Sequence, residues 1–523
     1  MLTSVNPLER IAVARLLEFL SDRMPWYRSL WGVGIVLAMD ELFEACEAMR
    51  QGHLSESSVK RIASSLQRRA GVHPAFTDAE KSLLREQVRQ VPRADSAAHF
   101  CIRELSSRIS KDYLLRWSRV IESDSGNFTV EHFARSVGAY LLDAGFAEQY
   151  LNDFIRARLG APSPITLAQL CEELASEMTA SPRRSFQVLL AFNGIPELPN
   201  GIPAGWLRGA EITAWLQVQR FDTADVRAPV AMVLEVLARD VVGAAKAARD
   251  TADRFSARAL IATGKPLHPV PLLWVAGSPA PQPMREASRG VGVKELFREN
   301  RVFSSDASQS VDAALELLAH LEGSSPPAAI AGGWAAIEGL LADPSDRSLA
   351  ADNLATLVTC SFPRAELTAL SYRVQRKHPD ATRELQGIRI NRERALLVAR
   401  MIVEGRMPRP PALADQAAIA RLSKLLGNPG PELQTVRDSI GDAFHRLYRQ
   451  RNLILHGARL DSVALSASLR TVSKLAGAGM DRITHGHYVQ GLKPLELVAK
   501  ANLAIALASR DDPSACVDLL EIN

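Results

Sequence analysis

The run Leu447-Tyr448-Arg449-Gln450-Arg451-Asn452-Leu453-Ile454-Leu455-His456-Gly457 places an Arg, an Asn and a His within two helical turns. Its apolar spacing predicts a helix, with Ile440, Phe444, Leu447, Ile454 and Leu455 on one face. His445, Arg449, Asn452 and His456 form a polar stripe, all within roughly 60° of one another. Arg451 falls in the middle of the apolar set, about 140° from His456. An Arg so placed is either buried with a partner or reaches out from an interface. Three routes bring Arg451 and His456 to one phosphate: the long Arg side chain, a distortion near the motif, or a second copy of the helix. A guanidinium grips phosphate through paired hydrogen bonds, and an imidazole exchanges protons near neutral pH.

A partner for Arg451 is legible upstream. In Gly332-Gly333-Trp334-Ala335-Ala336-Ile337-Glu338-Gly339-Leu340-Leu341, the side chains of Trp334, Ile337, Glu338 and Leu341 share one helical face. An acid stranded in that apolar stripe and a base stranded in another suggest a buried ion pair between Glu338 and Arg451. Together these motifs resemble the HEPN superfamily, specifically its Apea-like branch found in bacterial defence proteins. The family's Arg and His, a few residues apart on the third helix of a small bundle, are matched by Arg451 and His456 with four residues between. Asn452 matches the common Asn after the Arg, Gly457 follows the His, and Glu338 matches the acid of the first bundle helix. The likeness covers about 320–523.

The resemblance implies a metal-independent endoribonuclease that needs no cofactor. Arg451, Asn452, His456 and Glu338 would be its catalytic set. His456 would exchange a proton with the ribose 2′-hydroxyl, Arg451 would stabilise charge on the phosphate, and Asn452 would orient either. The products would be a 2′,3′-cyclic phosphate and a 5′-hydroxyl. It also implies a homodimer through the bundle, or a higher oligomer, and a toxin-like role in defence against phage. The N-terminal region would then sense a phage-derived trigger, bind a partner protein or restrain the nuclease. The competing reading is a HEPN scaffold that dimerises or binds RNA without cleaving it. Arg449 and His445 are RNA-contact candidates by position, against the plainer reading of a solvated face.

Between Arg373 and Arg409 lie ten Arg or Lys residues and four acids, a local excess larger than the +4 of the whole chain. Arg389, Arg392 and Arg394 within it are candidates for binding the RNA backbone. A solvated amphipathic helix explains the same residues. Ala262-Thr263-Gly264-Lys265 lacks the spacing of a phosphate-binding loop, and Pro266 follows it. His485-Gly486-His487 has no ligand-spaced acid or cysteine nearby and reads as a loop, with no metal assigned.

The rest of the chain reads as helical. Val5, Leu8, Ala12, Leu16 and Phe19 recur at helical spacing, and Thr77/Glu80 and Thr166/Gln169 form capping-box pairs. Ser181-Pro182 reads as a helix start. Turn residues cluster in GIPELPNGIPAG at 194–205, and six prolines between 266 and 283 exclude a continuous helix there. Within that stretch PVPLLWVAG at 269–277 has room for one short strand. The expectation is an all-α protein: a large helical domain over 1–260, a Pro-rich junction over 261–310, and a HEPN helical bundle over 311–523. Breaks at SSPP (324–327), MPRPPA (407–412) and GNPGP (427–431) divide the bundle.

Composition bounds the class. The 523 residues are 47% apolar and 23% charged, as in a globular protein of two or three domains. The slight net charge of +4 confines any nucleic-acid contact to a local patch. Five cysteines with no CxxC argue against a zinc cluster or a disulfide framework. The charged N-terminus is no signal peptide, and no apolar window is long enough to span a bilayer. A cytoplasmic protein with no membrane partner is the expectation.

Overall fold

Both capping boxes form as the sequence predicts. Thr77 and Glu80 each accept the other's backbone N–H, at 2.9 and 3.2 Å, at the start of helix Asp78–Gln87. Thr166 and Gln169 do the same ahead of helix Leu167–Ala180. The first helix, Pro7–Phe19, buries Ala12, Leu16 and Phe19 but leaves Leu8 exposed, and Val5 lies outside the described residues. The structure is a computed structural model that describes residues 6–123, 128–195, 205–223, 226–285, 288–304, 309–343, 346–508 and 512–521.

The chain is mostly helical, and it divides into two compact units. The larger contains residues 1–140, 161–172 and 289–523. Its C-terminal helices run Gln309–Gly323, Pro326–Leu341, Leu349–Lys377, Asn391–Val403, Leu413–Gly427, Pro429–Gly457, Leu465–Tyr488 and Pro494–Leu507. The break at 407–412 falls between helices, and those at 324–327 and 427–431 fall where one helix ends and the next begins, as the sequence predicts. His485-Gly486-His487 is helical, not a loop: Gly486 is buried where a Cβ would lie 2.7 Å from Leu497, so it serves packing.

The division expected at 260 and 310 differs from this arrangement. Helices Ile35–Arg50 and Glu56–Gly71 pack in the same unit as the C-terminal bundle. Trp31 meets Phe362 edge-to-face at 5.3 Å inside the main core. Arg28, almost wholly buried, bonds Glu18 at 3.0 Å, Glu366 at 3.0 Å and Asp415 at 2.8 Å. Buried charges survive only when so paired, so these long-range pairs tie the chain's beginning to its end.

The smaller unit, residues 141–160 and 173–288, corrects the all-α expectation. It holds a fully antiparallel sheet in the order β2-β3-β1-β4-β5. The strands are β1 Arg184–Phe192, β2 Trp206–Arg208, β3 Val230–Ala238, β4 Pro269–Val275 and β5 Gln282–Pro283. The expected strand in the Pro-rich stretch is β4. Central β1 is covered on both faces. Val188, Leu190 and Phe192 pack on Ala244, Ala245 and Ala248 of helix Val241–Thr263, while Leu189 and Ala191 pack on Ile212 and Leu216 of helix Ala210–Val218. A strand buried on both faces loses its period-two alternation, which is why the sequence hides it. Ser181-Pro182 accordingly ends helix Leu167–Ala180 and leads into β1; it starts no helix. Of the turn cluster at 194–205, residues 196–204 lie outside those described.

Candidate functional site

From Ile440 to Ile454, helix Pro429–Gly457 has no exposed residue, whereas Gln434 and Thr435 near its start are open to solvent. Ile440, Phe444 and Leu447 enter the main core, as their spacing requires. The polar stripe is also inside. His445 and Arg449 are each 5% exposed and Asn452 7%. His445 Nε2 lies 2.8 Å from Asp352 Oδ1 in helix Leu349–Lys377. Burial pulls its pKa below the ordinary value although Asp352 opposes this. Arg449 bonds Glu41 of helix Ile35–Arg50 at 2.6 Å, and Arg446 bonds the other oxygen of Glu41 at 2.9 Å. Burial disfavours the Glu41 carboxylate, but Arg446 and Arg449 hold its pKa at about 2. Arg449 and His445 are therefore structural, neither solvated nor open to RNA.

The helix emerges at Leu455 and His456, both exposed, and stops at Ala458 in the left-handed region with φ 49°. Within one chain Arg451 reaches His456 by its own length. Its Nη1 donates to Asn452 Oδ1 at 3.0 Å and to His456 Nε2 at 3.2 Å, with no break in the helix. A guanidinium carries donors only, so His456 Nε2 must accept. The imidazole is thus held with a lone pair aimed at the Arg, the form a general base requires.

Glu338 does not pair with Arg451. Its carboxylate accepts from Trp334 Nε1 at 2.5 Å and meets the exposed Arg347 at 3.3 Å. Trp334, fully buried, packs its ring 4.8 Å from that of Tyr448 on the motif helix. The WxxxE spacing is an i,i+4 hydrogen bond that orients a tryptophan against the motif helix. Glu338 positions the site through Trp334, and among the described residues no acid pairs with Arg451.

The basic stretch disperses in the same way. Arg394, 2% exposed, bonds Ser371, Gln375 and the carbonyls of Leu385 and Ile388, and stacks over Tyr372 at 4.0 Å. Arg392 makes two 2.7 Å bonds to Asp518. Arg389 alone of the three is exposed and bonds no described residue.

Three residues that shape the site escaped the sequence reading: Glu41, Asp352 and Glu44. Glu44 accepts from Arg459 at 2.9 Å and Ser462 at 2.7 Å, which pins the chain just after the motif to helix Ile35–Arg50. The available signal was an acid in an apolar stripe, since Glu41 sits among Leu37, Ala38, Leu42 and Ala45. Among the described residues one His–acid cluster has metal-like spacing, Glu47, Asp95 and His99. Its His99 Nδ1 already accepts from Asp95 N–H at 3.1 Å, and its Nε2 lies 3.0 Å from the Phe43 carbonyl oxygen.

No family model matches the chain, and no curated protein or solved structure matches it. Fold and site together define a mostly helical protein that presents an Arg–Asn–His cluster at the exposed end of a clamped helix.

Proposed function

We propose that this chain is a metal-independent endoribonuclease that cleaves RNA by attack of a ribose 2′-hydroxyl on the adjacent phosphorus. One observation carries the reading: a single Arg451 guanidinium bonds both Asn452 and His456 at the exposed last turn of the helix. His456, in the accepting form, takes the 2′-hydroxyl proton. Arg451 turns from the imidazole to the phosphate and stabilises its developing charge. Asn452 holds the guanidinium in place from a buried position. The products are a 2′,3′-cyclic phosphate and a 5′-hydroxyl, so DNA is not a substrate.

A toxin-like role in defence against phage, a homodimer through the bundle, and a trigger or partner protein acting on the N-terminal helices belong to the same proposal. They rest on the resemblance to Apea-like HEPN proteins. The rival reading, a scaffold that does not cleave, draws support from the basic residues already engaged in structure, Arg392, Arg394 and Arg449. Incubating purified protein with mixed RNA and with DNA of the same sequence separates the two. The enzyme leaves cyclic phosphate ends on RNA alone, and the scaffold leaves both intact.

A further inference from the structure

A phosphodiester cleaved by its own 2′-hydroxyl needs two proton transfers, one at the attacking oxygen and one at the departing 5′-oxygen. His456 supplies one imidazole. The other histidine of the motif helix, His445, is buried against Asp352 and unavailable. A third imidazole stands beside the motif, from the opposite end of the sequence.

Helix Ile35–Arg50 closes in a tight turn at Gly52, whose φ of 79° suits glycine. The N–H groups of His53 and Leu54 both return to the Ala48 carbonyl, Leu54 is buried, and Ser55 caps the next helix, Glu56–Gly71. His53 therefore sits on a fixed corner. Its ring lies flat against Gly457: a Cβ there would stand 2.8 Å from His53 Nδ1 and 3.2 Å from Cε1. The glycine after the motif histidine thus has a physical reason, since any side chain would displace this ring. His53 Nδ1 is buried with no hydrogen-bond partner, whereas Nε2 is not enclosed and bonds no described residue. Consecutive Cα atoms are about 3.8 Å apart, so the His53 ring lies within roughly 8 Å of the His456 backbone. His53 thus borders the same final turn of the motif helix that carries His456.

We infer that His53 is the proton donor of this site and completes the acid–base pair with His456. The inference rests on the ribonuclease reading above. His456 Nε2 takes the proton of the 2′-hydroxyl as the 2′-oxygen–phosphorus bond forms. His53 Nε2 gives a proton to the 5′-oxygen as the phosphorus–5′-oxygen bond breaks. Solvent returns both rings to their starting forms.

The test compares two substrates on the full-length protein. One is an RNA oligonucleotide of mixed sequence. The other is a ribonucleoside 3′-(4-nitrophenyl phosphate), whose leaving group departs without a proton. His53→Ala is expected to slow RNA cleavage by about 10²-fold or more, the usual worth of a general acid. It should leave the aryl ester nearly unaffected. His53→Gln should reproduce that pattern with wild-type thermal unfolding, which separates chemistry from folding. Equal losses on both substrates, or no loss on RNA, would overturn the inference. If wild type and His456→Ala cleave neither substrate differently, the ribonuclease reading itself fails, and this one falls with it.

Discussion

Arg451 and Arg449 stand two positions apart and meet opposite fates. About 200° of helix separates them, so one turns inward to Glu41 and the other reaches the exposed turn. The cluster of Arg451, Asn452 and His456 was legible in the sequence because its members lie within six residues. The partner of Glu338 was not. The same stripe that predicts a buried pair with Arg451 instead sets Trp334 four residues away, and a tryptophan N–H serves a stranded acid as well as a guanidinium does. With no acid depending on it, Arg451 can be changed without leaving a buried charge alone. Arg451→Lys keeps the charge but loses the flat guanidinium that can bond two phosphate oxygens at once. We expect it to unfold at the wild-type temperature and to cleave RNA about 10²-fold more slowly. A matching fall in melting temperature would instead mark Arg451 as structural.

At the scale of elements, the motif helix is held between helix Leu349–Lys377, through Asp352, and helix Ile35–Arg50, through Glu41, while Glu44 ties down the chain just after it. Glu41 is the centre of that clamp, 3% exposed and shared by two guanidinium groups. Glu41→Ala strands both arginines in the interior and is expected to cost about 3–5 kcal/mol in urea unfolding. The pH dependence follows from the same pair. With a folded pKa of about 2 against an ordinary value of 4.5, Glu41 stabilises the fold fully above pH 4.5 and loses that contribution as pH falls toward 2. The loss is on the order of 3 kcal/mol, and Glu41→Ala should flatten that part of the acid unfolding curve. An unchanged acid limb would show that the pair is not formed in solution. Helices were legible here from their caps and Pro breaks. The strand β1 was not, because burial on both faces erases the alternation that distinguishes a strand.

On the scale of the whole molecule, the sequence suggests a bundle that begins near 311, and the pairing of charges joins helices from the chain's beginning to it. Arg28, Glu41, Glu44 and Trp31 come from the first fifty residues, yet each is bound within the C-terminal bundle. No local pattern reveals such partners, which lie more than 300 residues apart along the chain. Residues 311–523 expressed alone would lose them and expose the stripe of Arg446, Arg449 and His445. The expected result is a fragment without a cooperative thermal transition. A sharp, wild-type-like transition would mean that the bundle stands without the N-terminal helices.

The central claim is that His456, presented by this clamped helix and held by Arg451, cleaves RNA. Its most direct test is growth of cells expressing wild type or His456→Ala, with and without phage, while total RNA is examined for new 2′,3′-cyclic phosphate ends. Ends produced by wild type and absent from a stably folded His456→Ala protein are the predicted result. Identical RNA and identical protection from both proteins would contradict it.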